Sequence, residues 1–241
     1  MKYYLGIICF LFISISAFSQ NLIVNPGFEE HAPSVKDSAR TTDFEINEAV
    51  GWYSPTESPA RLLDTTASSY SKWKGGDPTL PHSGVSYIAL SLYFMGEARS
   101  YIEGEFSKPL EANKKYKFSL YMAMGYHNNY TIDELGVYFG KNKVTQNTKN
   151  VMTNVVPQLI INIKNSFKTK CQWVEISGYY TAIGGEKYFI VGNFKKQPKN
   201  TTDSLSTETG TLHQANGLGA PYLIDDLSMT LSNDKETPAI A

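Results

Sequence analysis

Lys115-Tyr116-Lys117-Phe118-Ser119-Leu120-Tyr121-Met122-Ala123-Met124-Gly125 alternates without a break. Tyr116, Phe118, Leu120, Met122 and Met124 fall on one face, and Lys117, Ser119, Tyr121 and Ala123 on the other. That period of two belongs to a strand with one face in a core. The same rhythm recurs on both sides of it. Residues 85–94 set Ile88, Leu90, Leu92 and Phe94 against Tyr87, Ala89, Ser91 and Tyr93. Residues 99–106 set Ile102 and Phe106 against Tyr101, Glu103 and Glu105. Leu135, Val137 and Phe139 form another inward set, and residues 173–180 and 188–194 read as neighbouring strands joined at Gly184-Gly185. Residues 155–161 are β-branched but contain Pro157, which confines them to an edge or to two short strands.

The total is eight to ten strands with no convincing amphipathic helix, and turn signals at sandwich-like spacing. The sequence predicts an all-β chain, an antiparallel β-sandwich. Residues 31–50, 56–81 and 195–221 read as loops. The last of these is polar and long enough to be functional or disordered. Residues 51–55, Gly-Trp-Tyr-Ser-Pro, close the first loop as an aromatic strand.

The closing strand, Tyr222-Leu223-Ile224-Asp225-Asp226-Leu227-Ser228-Met229-Thr230-Leu231, carries an acid where an apolar side chain is expected. Strict alternation puts Leu223, Asp225, Leu227, Met229 and Leu231 on one face, so Asp225 points into the core. A buried carboxylate needs a cation, a group of backbone N–H donors or a shifted pKa. At the other end of the chain, Asn21-Leu22-Ile23-Val24-Asn25-Pro26-Gly27-Phe28-Glu29 starts as a short strand and turns at Pro26-Gly27, a type II pair. First and last strands of a sandwich lie close together, which would let Glu29 and Asp225 meet.

Composition narrows the function classes. The net charge is −1 and charged residues are 19% of 241, so nothing points to nucleic acid or to an anionic membrane surface. Met1-Lys2, the apolar run of residues 5–15 and Ala17-Phe18-Ser19 have the form of a secretory signal peptide. The expected division is a signal at residues 1–19, one sandwich domain at 20–231 and a flexible tail at 232–241. The protein is expected to be exported, to the periplasm, the outer-membrane surface or the medium, with no transmembrane segment in the mature chain. Cys9 leaves with the signal and Cys171 stays alone, so no intramolecular disulfide is expected.

The opening pattern residues 21–29, the pair Asp225-Asp226 before an apolar strand, and Pro81-His82-Ser83-Gly84 leading into a strand resemble jelly-roll carbohydrate-binding modules of the galactose-binding-like type. Trp173 leading into Ser177-Gly178-Tyr179 is similar to the same family. Residues 184–194, Gly-Gly-Glu-Lys-Tyr-Phe-Ile-Val-Gly-Asn-Phe, resemble a subgroup found in exported proteins of Bacteroidetes-type bacteria, where the domain often stands before an OmpA-like peptidoglycan-binding domain; no such second domain is expected from these residues, and cell-wall tethering is not expected. The resemblance implies a jelly roll with a structural calcium near the termini, to which Glu29 and Asp225 or Asp226 would map. Hard oxygen ligands of this kind suit calcium. A hydrogen-bonded carboxylate cluster is the alternative.

No catalytic constellation emerges: there is no Gly-x-Ser-x-Gly elbow and no His-Glu-x-x-His pair. His31, His82, His127 and His213 are scattered in loop contexts and read as surface residues, and Cys171 as a buried thiol. Glu103 and Glu105 share a strand face, as two glycosidase acids would, but no third carboxylate accompanies them, and a solvated strand is the plainer reading. Aromatics are 13% of residues, with 16 Tyr and 12 Phe, and most serve β-propensity. Those outside the apolar phase are the candidates for stacking on the C–H faces of sugars: Trp73, Trp52, Tyr53, Tyr93, Tyr101 and Tyr126, with Tyr121. Arg99 and Asn128, with Asn129, would bond hydroxyls. Trp73 is the leading candidate because its neighbours are polar, whereas Trp52 is equally suited to plugging the core. Asp37-Ser38-Ala39, Asp64-Thr65-Thr66 and Asp203-Ser204-Leu205 resemble O-glycosylation acceptors. The expected function is a non-catalytic binding module for carbohydrate or another cell-surface polymer. An envelope adhesion protein that binds other proteins is the rival, and a glycoside hydrolase is the third reading.

Overall fold

The computed structural model describes residues 20–32, 44–67, 70, 79–94, 98–126, 128, 131–196 and 219–232. Residues 1–19, expected to be a signal peptide, and Trp73, His127, Asn129, His213, Asp37, Asp203 and residues 233–241 lie outside these residues.

Among the described residues, eleven strands form two sheets. They are β1 (Phe44–Glu45), β2 (Trp52–Tyr53), β3 (Arg61–Asp64), β4 (Ser86–Phe94), β5 (Ile102–Glu105), β6 (Lys115–Met124), β7 (Glu134–Gly140), β8 (Leu159–Asn162), β9 (Trp173–Thr181), β10 (Tyr188–Gly192) and β11 (Gly219–Leu231). One sheet has the order β1-β3-β4-β11-β6-β9 and the other β2-β5-β10-β7-β8. Every strand pairing is antiparallel. Within this, β4-β11-β6-β9 faces β5-β10-β7-β8, with successive strands from β4 to β7 changing sheets. That is the double Greek key of a jelly roll.

The alternating residues meet where their period places them. Ile88, Leu90 and Leu92 of β4, Phe118, Leu120 and Met122 of β6, and Leu135, Val137 and Phe139 of β7 share one core. An aromatic chain runs through it. Trp52 lies 4.6 Å from Phe28 and 5.6 Å from Phe189, and Phe189 lies 5.0 Å from Phe106. Such offset and edge contacts add to the area the rings bury. Trp52 is fully buried and donates its indole N–H to the Asn25 carbonyl at 2.9 Å. It plugs the core and offers no surface to a ligand.

Three expectations change. Arg61–Asp64 is a strand, although residues 56–81 read as loop. Its Leu62 faces the main core and Leu63 a smaller cluster on the outer side of the sheet, so burial of both faces erases the period of two. The Pro26-Gly27 turn is closed by Phe28 N–H donating to Asn25 O at 3.1 Å. Positive φ falls on Asn25 and Phe28 rather than on Gly27, so it is not a type II turn. Finally, the register of β11 against β6 shifts between Asp225 and Ser228, and Asp226 has φ 45°. This bulge adds a residue and reverses the phase. Tyr222, Ile224, Leu227 and Met229 face the core, while Leu223 belongs to the outer cluster. Asp225 therefore lies on the outer face, buried under the turn that precedes β4.

Candidate functional site

Two places gather the residues that carry chemistry. The first is a clasp where the chain ends meet. Leu22 N–H donates to Met229 O, and Leu227 N–H to Pro26 O. Beside them, three acids hold the turn at residues 82–86. Asp225 Oδ2 accepts from the backbone N–H groups of His82 (2.9 Å) and Ser83 (3.2 Å), and its Oδ1 from Asp226 N–H (2.8 Å). Asp226 engages the His82 ring through Nδ1 at 2.6 Å and accepts from the Ser83 hydroxyl at 2.8 Å. Glu29 Oε1 accepts from Val85 and Ser86 N–H, both at 3.0 Å. Glu29 and Asp225 thus seize the same turn from its two ends. Burial, with the Asp226 charge beside it, pushes the Asp225 carboxyl up to about 7 against the pull of its N–H donors.

A calcium ion at this place would need the three carboxylates to converge. Asp226 Oδ1 and Asp225 Oδ1 border the space beside Gly27, at 3.2 and 3.7 Å from where a side chain would begin. Glu29 turns its carboxylate away to the 84–86 turn, and among the described residues no three His, Cys, Asp or Glu side chains converge on one metal position. The oxygens are largely taken by N–H and O–H donors. As drawn, the donor set is that of a hydrogen-bonded clasp, not a formed three-carboxylate cage.

Close by, Asp64 Oδ2, His31 Nδ1 (3.7 Å), His31 Nε2 and Ser86 Oγ (3.1 Å) stand in the order of a hydrolase triad. Ser86 is fully buried and its N–H is spent on Glu29. With Ser86 buried and its own N–H engaged, the trio ties the loop before the clasp. His31 and His82 are accordingly structural partners rather than free surface residues.

The second place is the outer face of the five-stranded sheet. Glycines at three positions leave room for rings to lie down on the strands. A Cβ at Gly140 would stand 2.8 Å from Tyr138 Cε1, and one at Gly136 2.5 Å from Phe194 Cδ2. At Gly192 the ring of Tyr101 occupies the same space. Residues 144–155 strap one half of this paving. Val144, Met152 and Val155 pack with Tyr101 and Ile190, Met152 N–H donates to the Tyr101 hydroxyl, and that hydroxyl donates to Asn193 O at 2.8 Å.

The other half is open. Tyr53 pairs with Glu103 across β2–β5, Glu103 with Ile190 across β5–β10, and Ile190 with Tyr138 across β10–β7. One row along, Tyr188 stands between Glu105 and Gly140. Tyr53, Tyr138 and Tyr188 are half-buried, and Tyr138 also packs against the strapped cluster. Lys143 Nζ sits 3.0 Å above the Tyr53 ring and 5.8 Å from that of Tyr188, a cation over aromatic faces. Glu103 lies beneath, only 1% exposed, and accepts from Val144 N–H at 2.9 Å. Burial pushes its carboxyl up to about 7, offset in part by that donor and by Lys143. Glu103 is thus a buried group, where a solvated strand was expected.

Of the described residues singled out in the sequence as sugar contacts, only Tyr53 belongs to this open platform. Tyr93 and Arg99 come together, with the guanidinium 5.0 Å from the ring centre, but Arg99 is fully buried and donates to Lys195 O. Tyr101 and Asn128 are buried too. Tyr126 is exposed on the β6–β7 connection. Tyr121 stacks on His82 at 3.6 Å on the opposite sheet. Tyr138 and Tyr188 were missed; Gly140, two residues beyond Tyr138 on its own strand and paired with Tyr188 across β10–β7, is the signal that marks them.

No protein-family model matches the chain, and no curated protein matches it. Among solved structures, the CBM22-1 xylan-binding domain of Xyn10C from Paenibacillus barcinonensis is similar over 81% of this chain and 96% of its own, at 12% identity and TM-score 0.39. TmCBM61 in complex with β-1,4-galactotriose is similar over 89% of this chain and all of its own, at 10% identity and TM-score 0.38. The K1 adhesin domain of Lys-gingipain from Porphyromonas gingivalis W83 covers 80% of this chain and 99% of its own, at 9% identity and TM-score 0.37.

Proposed function

We propose that the chain is an exported, non-catalytic carbohydrate-binding module whose site is the open half of the paved face, with Tyr138 and Tyr188 as its stacking surfaces and Tyr53, under Lys143, at their margin. The observation that carries this is the side chain of Tyr138 lying against Gly140, with Tyr188 paired to the same glycine and Tyr53 two strands beyond, all three half-buried. Pyranose rings bury their C–H faces on such planes, and Glu105 and Lys143 at the margin supply hydrogen bonds to hydroxyls. Export rests on the form of residues 1–19. Affinity electrophoresis against neutral β-linked polysaccharides, with xylan and β-1,4-galactan among them, tests the reading. Retardation that is lost in Tyr53→Ala/Tyr188→Ala supports it. Absence of retardation by every polymer, with tight capture of an outer-membrane protein at the same face, favours the protein-binding adhesin instead.

The clasp is read as a hydrogen-bonded structural feature. Calcium is the second reading of the same place, favoured by the two adjacent carboxylates Asp225 and Asp226 bordering one space beside Gly27. It would take Asp225, Asp226 and, after turning its carboxylate, Glu29.

A further inference from the structure

We propose that residue 20 is a modification site, where the mature chain begins as a pyroglutamyl ring closed from Gln20. This goes beyond the carbohydrate reading and rests only on export.

The small–x–small run Ala17-Phe18-Ser19 directs leader cleavage to the Ser19–Gln20 bond. From the residue after Gln20 the chain is held. Asn21 Nδ2 donates to Leu227 O at 2.9 Å, and its Oδ1 accepts from Ile23 N–H at 3.1 Å and Met229 N–H at 3.0 Å. Leu22 N–H then donates to Met229 O, and Ser107 N–H to Leu22 O. Gln20 stands one residue outside these bonds and is exposed. A cut one residue later would put a charged terminus on Asn21, the residue whose side chain ties the first segment to β11.

Hydrolysis of the Ser19–Gln20 bond by a leader peptidase frees the α-amine of Gln20. As free base, that nitrogen attacks its own side-chain Cδ. An N–Cδ bond forms, the Cδ–Nε2 bond breaks, and one proton passes from the α-nitrogen to the departing nitrogen, which leaves as ammonia. The step needs no oxidant, reductant or cofactor, and it removes the terminal charge.

The surroundings of Gln20 suit the product. It borders a cavity of about 200 Å³ together with Leu22, Lys108, Glu111, Tyr116 and Leu231. Leu22, Tyr116 and Leu231 give an apolar wall to a small uncharged ring. Lys108 and Glu111, 3.9 Å apart and both exposed, bring a donor for the lactam carbonyl and an acceptor for its N–H. A retained α-ammonium would instead set a second cation at the cavity that Lys108 lines. Ring closure also removes the free amine that aminopeptidases require, so the bonds of Asn21 to β11 are protected from trimming.

The test expresses the full chain with its own residues 1–19 in a Gram-negative host. Protein recovered from the periplasm or medium is held at about pH 8, where an α-amine is largely free base, until its mass is constant. The N-terminal peptide is then read by mass spectrometry. The expected peptide starts at residue 20, is lighter than the glutamine form by one ammonia, and loses its first residue to pyroglutamyl aminopeptidase. A peptide from residue 20 with a free amine overturns the inference while leaving export standing, as does one that starts at Asn21. A chain that keeps residues 1–19 removes the export reading and the inference with it. In a second arm the folded protein meets a general aminopeptidase: the wild type is expected to stay intact and Gln20→Ala, which cannot cyclise, to lose residue 20. Equal trimming of the two overturns the protective role.

Discussion

The backbone N–H of His82 donates to Asp225 Oδ2 at 2.9 Å across 143 residues of chain. With Ser83 N–H on the same oxygen, it turns a buried carboxylate into the anchor of the turn that feeds β4. Asp225→Ala strands both donors under the turn. The expected loss is about 2–4 kcal/mol of unfolding free energy, read as a lower urea midpoint with unchanged slope. Asp225→Asn, which keeps an acceptor oxygen, is expected to lose less.

Gly84 has φ 58°, and the Glu29 carboxylate fills the space where its Cβ would stand. Gly84→Ala meets both an unfavourable backbone and that carboxylate, and is expected to cost about 1–3 kcal/mol. In a Glu29→Ala background the steric part disappears. A double-mutant cycle should therefore show Gly84→Ala costing less there than in the wild type; equal costs would mean that the two do not press on each other.

The hydrogen-bonded clasp predicts the same melting temperature in millimolar calcium and in EDTA. A rise of several degrees with calcium, abolished in Asp225→Asn/Asp226→Asn, would establish the metal reading in its place.

Glu103 titrates high because it is buried, and the sign of its effect follows. Between pH about 4.5 and about 7 the folded chain keeps a proton that the unfolded chain has released. Stability from this group is full below that window, falls as pH rises through it and is level above. The total is on the order of 2–3 kcal/mol. Glu103→Gln keeps an acceptor for Val144 and removes the titration. The stability difference, variant minus wild type, should grow from pH 4.5 to 7 and then stay constant in denaturant titrations.

The sandwich was legible because most of its strands bury one face. Lys115–Met124 and Ser86–Phe94 announce themselves by alternation. Arg61–Asp64 did not, since Leu62 and Leu63 are buried on opposite faces. Asp225 was recognised as a buried acid needing partners, but a single bulge residue, Asp226, moved it to the outer face, and a bulge leaves no mark on the hydrophobic pattern. The binding surface was the hardest part. An unphased aromatic signals exposure only if nothing folds over it, and Tyr101 lies under a strap formed by residues 144–155. Conversely, Tyr138 lies against Gly140 of its own strand, and Tyr188 is set beside the same glycine by the β10–β7 pairing. That relation appears only when the register is known.

The central claim is that the paved face binds carbohydrate, and one comparison addresses it directly. For a polysaccharide that the wild-type chain binds, dissociation constants are measured for Tyr188→Ala and for Tyr179→Ala, an exposed tyrosine on the opposite sheet. Loss of one stacking ring is expected to weaken binding about tenfold in Tyr188→Ala and to leave Tyr179→Ala unchanged, with both variants melting cooperatively. Unchanged affinity in a folded Tyr188→Ala protein would contradict the account.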